Sequence, residues 1–185
     1  MKLEQTNRII IKIGSALLFN ETSGSLNKEW LNSLAEDVKY LRENDKEVII
    51  VSSGAIAMGA KDLDLDMKNM KMDMNQAVSA VGQIHLMGSF KSAFEKNEIK
   101  ISQILLTLDD TEQRRRSINA RRTIDTLLKL GIVPVVNEND TIATSEIRYG
   151  DNDRLASRVA QITSADCLIL LSVSYTHLTL PTTPR

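Results

Sequence analysis

A three-layer α/β/α sandwich on a mainly parallel sheet is the fold this chain predicts, and two observations predict it. Five short runs rich in Ile, Val and Leu are mostly continuous rather than alternating, as strands buried on both faces are. The segments between them place apolar residues at three- and four-residue steps, as helices with one buried face do. Strands and helices alternating in this way imply right-handed crossovers, and therefore parallel neighbours covered by helices on both sides.

The first run, RIIIKI (Arg8–Ile13), leads into KIGSA. NKEWLNSLAEDVKYLREN then sets Trp30, Leu31, Leu34, Val38 and Leu41 on one helical face, with Asn27 as the cap. EVIIVS (Glu47–Ser52) is the second strand, and SSGAIAMG turns from it into another helix. KDLDLDMKNMKMDMN holds four of the seven methionines and reads as a flexible connection rather than a Met-lined binding surface. A helix over 74–97 leads to ISQILLT (Ile101–Thr107), the third strand. NARRTIDTLLKLG is a helix closed by Gly131, and GIVPVV (Gly131–Val136) is the fourth strand. DNDRLASRVAQITSAD is the last helix, with Asp151 or Asn152 near its cap, and CLILLS (Cys167–Ser172) is the fifth strand.

With 185 residues, 42% of them hydrophobic, the chain can bury one sizeable core, so one domain is expected. A formal net charge of -1 offers no general attraction for nucleic acid or an acidic membrane. The basic cluster QRRRSINARR has no interleaved aromatics and reads as a solvated or partner-facing helix surface. Cys167, the single cysteine, lies in an apolar run and reads as a buried thiol in a reducing compartment. The N-terminal apolar run is too short for a signal peptide, and no stretch approaches about 18 apolar residues, so a cytoplasmic location is expected. His85 and His177 have no companion ligand motif, so no protein-built metal site is expected.

In a parallel sheet, ligands sit at the carboxyl ends of the strands, and the loops leaving those ends carry the chemistry. KIGSA places Lys12 just before a strand-ending glycine, where a sharp turn would let a phosphate approach the backbone amides and lysine would supply a mobile charge. SSGAIAMG repeats the device with Ser53 and Gly54, although two ordinary glycine turns would read the same way. Neither is a GxxxxGK[ST] loop or a GxGxxG turn. The stretch NENDTIATSEIRYGDND follows the fourth strand and is crowded with acids and amides. A solvated loop would account for each acid singly. A small hairpin or lid over TIATSEIRYG would instead bring Asp140 and Asp151–Asp153 back together. Acids facing a lysine and two glycine turns suit a cationic group held beside a phosphate.

KIGS, VSSGAIAMG, AVGQ, ILLT, NAR-x-T, IVPVVNEND and GDND-x-L-A, in this order from Ile9 to about Ser172, resemble the glutamate 5-kinases, a branch of the amino acid kinase superfamily. The resemblance implies an amino acid kinase fold. It also implies phosphorylation of the L-glutamate side-chain carboxylate by ATP with Mg2+, as the first step of proline synthesis. Proline would be the feedback inhibitor, and the full-length form would be a homo-oligomer. Carried over residue by residue, Lys12 stabilises the phosphoryl group in flight and Asp153 organises the catalytic lysines. Ser53, Asp140 and Asn152 hold glutamate, with Asp151 in the same pocket. Gly14, Ser15, Gly54 and Ser172 join Lys12 at the phosphate-binding edge.

Past Ser172 the chain departs from the family pattern. The family continues with Asp-x-x-Gly-Leu-Tyr and a nucleotide-binding half with a second catalytic lysine, whereas this chain reads VSYTHLTLPTTPR. The expected organisation is thus 1–172 as the amino-acid-binding part of a truncated kinase domain, and 173–185 as a foreign tail, disordered or artefactual. Little activity is expected from such a chain alone. A non-catalytic glutamate- or proline-binding module, or an amino acid kinase with another acyl substrate, is the alternative. Lys12, Gly14 and Asp153 favour the kinase, because a pure binder needs no phosphate-neutralising groups.

Overall fold

The computed structural model describes residues 3–20, 25–68, 70–143 and 151–172, and for Asp151 the backbone alone. After a 3-10 turn at Leu3–Gln5 come β1 (Arg8–Ile13), α1 (Ser15–Leu18), α2 (Lys28–Glu43), β2 (Glu47–Val51), α3 (Ala55–Asp62) and α4 (Met72–Glu95). The chain continues through β3 (Ile101–Leu106), α5 (Leu108–Glu112), α6 (Arg114–Lys129), β4 (Val133–Glu138), α7 (Asp151–Thr163) and β5 (Cys167–Leu171). The five strands form one sheet in the order β3-β4-β2-β1-β5. Every pairing is parallel, so the carboxyl ends of all five lie along one edge.

The layers follow from the alternation of side chains along β1. Ile9, Ile11 and Ile13 point into a core shared with Leu31, Leu34 and Val38 of α2 and with Leu86, Phe90 and Phe94 of α4. Ile10 points the other way, into a core with Ala120 and Ile124 of α6 and Leu155, Ala156 and Val159 of α7. Each fully buried large side chain among these contributes about 1.5–3 kcal/mol of transfer free energy, so both faces of β1 are strongly specified. Lys12 shares a strand face with Ile10, which aims it toward α7.

Local signals explain most boundaries. The Asn27 side chain accepts a hydrogen bond of 3.2 Å from Trp30 N and caps α2. Gly131 stands at φ +71° and ends α6 in the left-handed conformation expected of it. α6 starts at Arg114 rather than at Asn119, preceded by α5, whose Thr107–Asp110 capping box the sequence reading passed over. The arginines of QRRRSINARR are exposed on α6, as expected of a solvated helix surface.

Three expectations are corrected. β4 runs on through Asn137 and Glu138, because β3 extends beside it and pairs Leu105 with Asn137 and Leu106 with Glu138. The acid-rich stretch therefore begins inside the sheet. Cys167 is partly exposed rather than buried, because β5 is an edge strand of the described sheet, where Leu170 is also exposed. A continuous apolar run reports burial of the two faces and says nothing about a neighbour at the edge. Gly14 has φ -73° and ψ 147°, an extended conformation open to any residue, so the chain makes no glycine turn there. The hairpin or lid expected over 141–150 falls mostly outside the described residues, as do the tail 173–185 and the side chain of Asp151. Among the described residues, no helix is long and apolar enough to cross a membrane.

Candidate active site

The carboxyl edge of the sheet is built from the ends of β1, β2, β4 and β5. Lys12, on an inner strand, is only 7% exposed, and its Nζ lies 2.7 Å from Asp153 Oδ1 in the first turn of α7. The Asp153 side chain is itself half exposed. A lysine this deep in the sheet needs a nearby counter-charge, and α7 supplies it from the solvent side.

Around this pair, the strand ends are tied to one another. Ser53 Oγ donates to Ile13 O at 2.8 Å, joining the end of β2 to that of β1. Gly14 N donates to Leu171 O at 2.9 Å, joining β1 to β5. A methyl group on Gly14 would sit 3.4 Å from that carbonyl and 3.8 Å from Ser172 Oγ, so Gly14 and Ser172 flank each other at the edge. Gly54 stands at φ +98°, and a side chain there would come within 2.7 Å of the Phe19 ring and 3.5 Å of Ser15 Cβ. Both the conformation and the space therefore require glycine at the turn into α3. Lys12, Gly14, Ser15, Ser53, Gly54, Asp153 and Ser172 thus all lie at one edge.

Asp140 reaches the site from the turn after β4. Asn139 N donates to Leu106 O at 3.0 Å and Ile142 N to Asn139 O at 3.2 Å, which folds the turn back over the strand end. The Asp140 carboxylate is 7% exposed and accepts a short hydrogen bond from the Ser79 hydroxyl of α4. Burial raises its pKa from the ordinary aspartate value, and the Ser79 hydrogen bond opposes that shift. Among the described residues, no cationic side chain pairs with it. Asn152 follows the first residue of α7, and its buried Oδ1 has no hydrogen-bond partner among the described residues. Asp151 begins the same helix.

Two polar groups at this edge escaped the sequence reading as individual candidates. Asn137 is 4% exposed, and its Oδ1 accepts from Glu138 N at 2.9 Å while its Nδ2 is buried without a partner among the described residues. Its signal was present in NEND, whose first residue looked like loop rather than strand. Ser79 left no such signal, since a serine in a helix is ordinarily a neutral surface or packing residue. The glycine of AVGQ also gains a reason. A side chain on Gly82 would fall 1.8 Å from Ala55 O, and one on Gly59 would fall 1.9 Å from Val78 O. α3 and α4 therefore cross in near backbone contact, which sets Ser79 beside the carboxyl edge.

Among the described residues, no group of three or more His, Cys, Asp or Glu is placed to hold a metal ion.

The model of the amino acid kinase family matches residues 7–174. The chain belongs to the amino acid kinase family. It is 60% identical over 180 residues to a glutamate 5-kinase of Pelagibacter ubique, covering 96% of this chain and 49% of that protein. It is 56% identical over 170 residues to glutamate 5-kinase 1 of Mesorhizobium japonicum, covering 92% of this chain and 45% of that protein. The chain thus spans about half the length of the curated relatives it matches. Among solved structures, a product complex of the isopentenyl phosphate kinase of T. acidophilum superposes with a TM-score of 0.60 at 14% identity, covering 90% of this chain and 70% of that one. At that identity the likeness concerns the fold, an α/β/α sandwich as the strand and helix pattern predicts and of the amino acid kinase kind that the resemblance implies.

Proposed function

We propose that the protein to which this chain belongs transfers the γ-phosphoryl group of ATP to the side-chain carboxylate of L-glutamate, giving L-glutamyl 5-phosphate and ADP at the head of proline synthesis. The observation that carries this reading is Asp140, a carboxylate more than nine-tenths buried with no cationic partner among the described residues. A buried acid without a counter-charge is costly, and a ligand ammonium would relieve that cost. The glutamate 5-kinases to which the chain is similar supply the acceptor.

The remaining residues divide the work. In the reaction, a carboxylate oxygen of glutamate forms a bond to the γ-phosphorus as the bond to the ADP oxygen breaks. Both reactants are anions, so charge neutralisation and alignment are what the protein must supply. Lys12 Nζ neutralises the phosphoryl group in flight, and Asp153, at 2.7 Å, holds that ammonium in place. Ser53, Asn152 and Asp151 complete the amino acid pocket with Asp140. Gly14, Ser15, Gly54 and Ser172 line the phosphate side. Mg2+ carried by the nucleotide would screen its β- and γ-phosphates. Proline shares the ammonium and α-carboxylate of glutamate and so competes for the same groups, and the full-length protein self-associates.

The test is an assay of the purified full-length protein with ATP and Mg2+, using hydroxylamine to trap the acyl phosphate as a hydroxamate. Glutamate-dependent hydroxamate with matching ADP release, suppressed by proline, is the expected result. Equal or greater turnover of aspartate or N-acetylglutamate would reassign the acceptor. No phosphoryl transfer to any amino acid would reject the reading.

A further inference from the structure

α4 faces the turn after β4 with three polar side chains at helical spacing. Gln76 Nε2 donates to Ala143 O at 3.0 Å, Ser79 Oγ donates to Asp140 Oδ2, and Gln83 Nε2 reaches Glu138 O at 3.4 Å. Residues at i, i+3 and i+7 lie along one stripe of a helix, so this stripe laces the segment from Glu138 to Ala143 to a single rigid surface. Ser79 is 1% exposed and Gln83 is 8% exposed, which places their hydrogen bonds out of reach of competing water. Of the three, only Ser79 bonds a side chain of that segment, the acid assigned to the ammonium of the ligand, whereas Gln83 Oε1 accepts from Gln103 Nε2 of β3 at 3.3 Å.

We infer that Ser79 is a positioning residue for the amino acid pocket, orienting the Asp140 carboxylate so that its second oxygen faces the ligand. The inference rests on the glutamate kinase reading above. A carboxylate on a turn has free χ1 and χ2 rotation unless something holds it, and the hydroxyl fixes one oxygen from the side opposite the ligand. A hydrogen bond to a charged group also favours the ionised form that an ammonium requires. Ser79 itself touches neither substrate nor nucleotide in this scheme, so its loss acts through Asp140.

The test compares Ser79→Ala, Ser79→Thr, Asp140→Asn and the double variant in the full-length protein. Ser79→Ala is expected to raise the glutamate KM about tenfold or more, the equivalent of one charge-assisted hydrogen bond. The KM for ATP should stay within about twofold, since no general loss of structure is involved. Ser79→Thr keeps the hydroxyl and should restore most of the affinity, which a packing role for the small serine would not allow. In the Asp140→Asn background, adding Ser79→Ala should cost much less than it does alone, as coupled residues do. An unchanged glutamate KM in Ser79→Ala, equal losses for both substrates, or full additivity with Asp140→Asn would overturn the inference while leaving the kinase reading intact. Absence of glutamate-dependent activity in the unsubstituted protein would remove both.

Discussion

The two ends of the same sheet differ in how their acids are partnered. At the amino end, Arg8 Nε bonds Glu47 at 2.8 Å, and its NH1 lies 2.9 Å from Asp125 in an ion pair that is not aligned as a hydrogen bond. Asp166 accepts from Asn7 N at 2.7 Å and Arg8 N at 2.8 Å, pinning the start of β1 beside β5. The buried Ser102 hydroxyl near the start of β3 has no partner among the described residues, and nothing in the structure explains it. At the carboxyl end, among the described residues, Asp140 has a hydroxyl but no cation, and Asn137 Nδ2 and Asn152 Oδ1 have no partner. Both ends hold buried polar atoms without a partner, and what differs is charge: the acids at the amino end are paired with Arg8 or held by backbone amides, whereas Asp140 lacks a cation that a ligand could supply.

The largest expected effect comes from removing the uncompensated acid. Asp140→Ala should raise the glutamate KM of the full-length protein about a hundredfold or more, with little change in the KM for ATP. An unchanged glutamate requirement would break the contrast between the two ends, because the unpaired acid would then have no ligand to serve. Next comes the ion pair of Lys12 with Asp153. Asp153→Ala leaves Lys12 buried without its counter-charge, so kcat should fall about tenfold to a hundredfold while the glutamate KM moves less. The same variant should lose about 1–3 kcal/mol of stability, a figure reduced because Asp153 is half exposed. Urea denaturation of the variant measures that loss.

The smallest effects sharpen the comparison through pH. Asp140 has a raised pKa in the folded state, so its ionisation costs stability as pH rises from the ordinary aspartate range through the folded value. Asp140→Asn should therefore raise Tm at neutral pH, and the difference should vanish in acid, where both side chains are neutral. Asp166 has a lowered pKa, chiefly from the amide hydrogen bonds of Arg8 and Asn7. Its contribution is complete above the unfolded value and is lost as pH falls through the folded value. Asp166→Asn should accordingly lower Tm slightly at neutral pH and lose its effect in acid. Thermal melts of the two variants from acid to neutral pH should thus diverge in opposite directions, and the same sign for both would refute the assignment of one acid to function and the other to fold.

Much of this was legible in the residues alone. The runs RIIIKI and EVIIVS declared strands buried on both faces, and Asn27 and Gly131 marked helix ends, because these signals act over one or a few turns of chain. Lys12, Ser53, Asp140, Asn152 and Asp153 were candidates from their positions at strand and helix ends and from the family resemblance. What the sequence could not express was partnership across long separations. Ser79 and Asp140 are 61 residues apart, Lys12 and Asp153 are 141 apart, and each pair meets only because parallel crossovers return successive elements to the same edge. Likewise, CLILL announces two apolar faces, but only the packed sheet decides that β5 lies at an edge with Leu170 exposed. The sequence by itself determined the elements and the chemistry available to them. Tertiary structure decided which charges are buried and which of them meet a counter-charge, because the free energy of a charge depends on its burial and on partners that the linear order does not reveal.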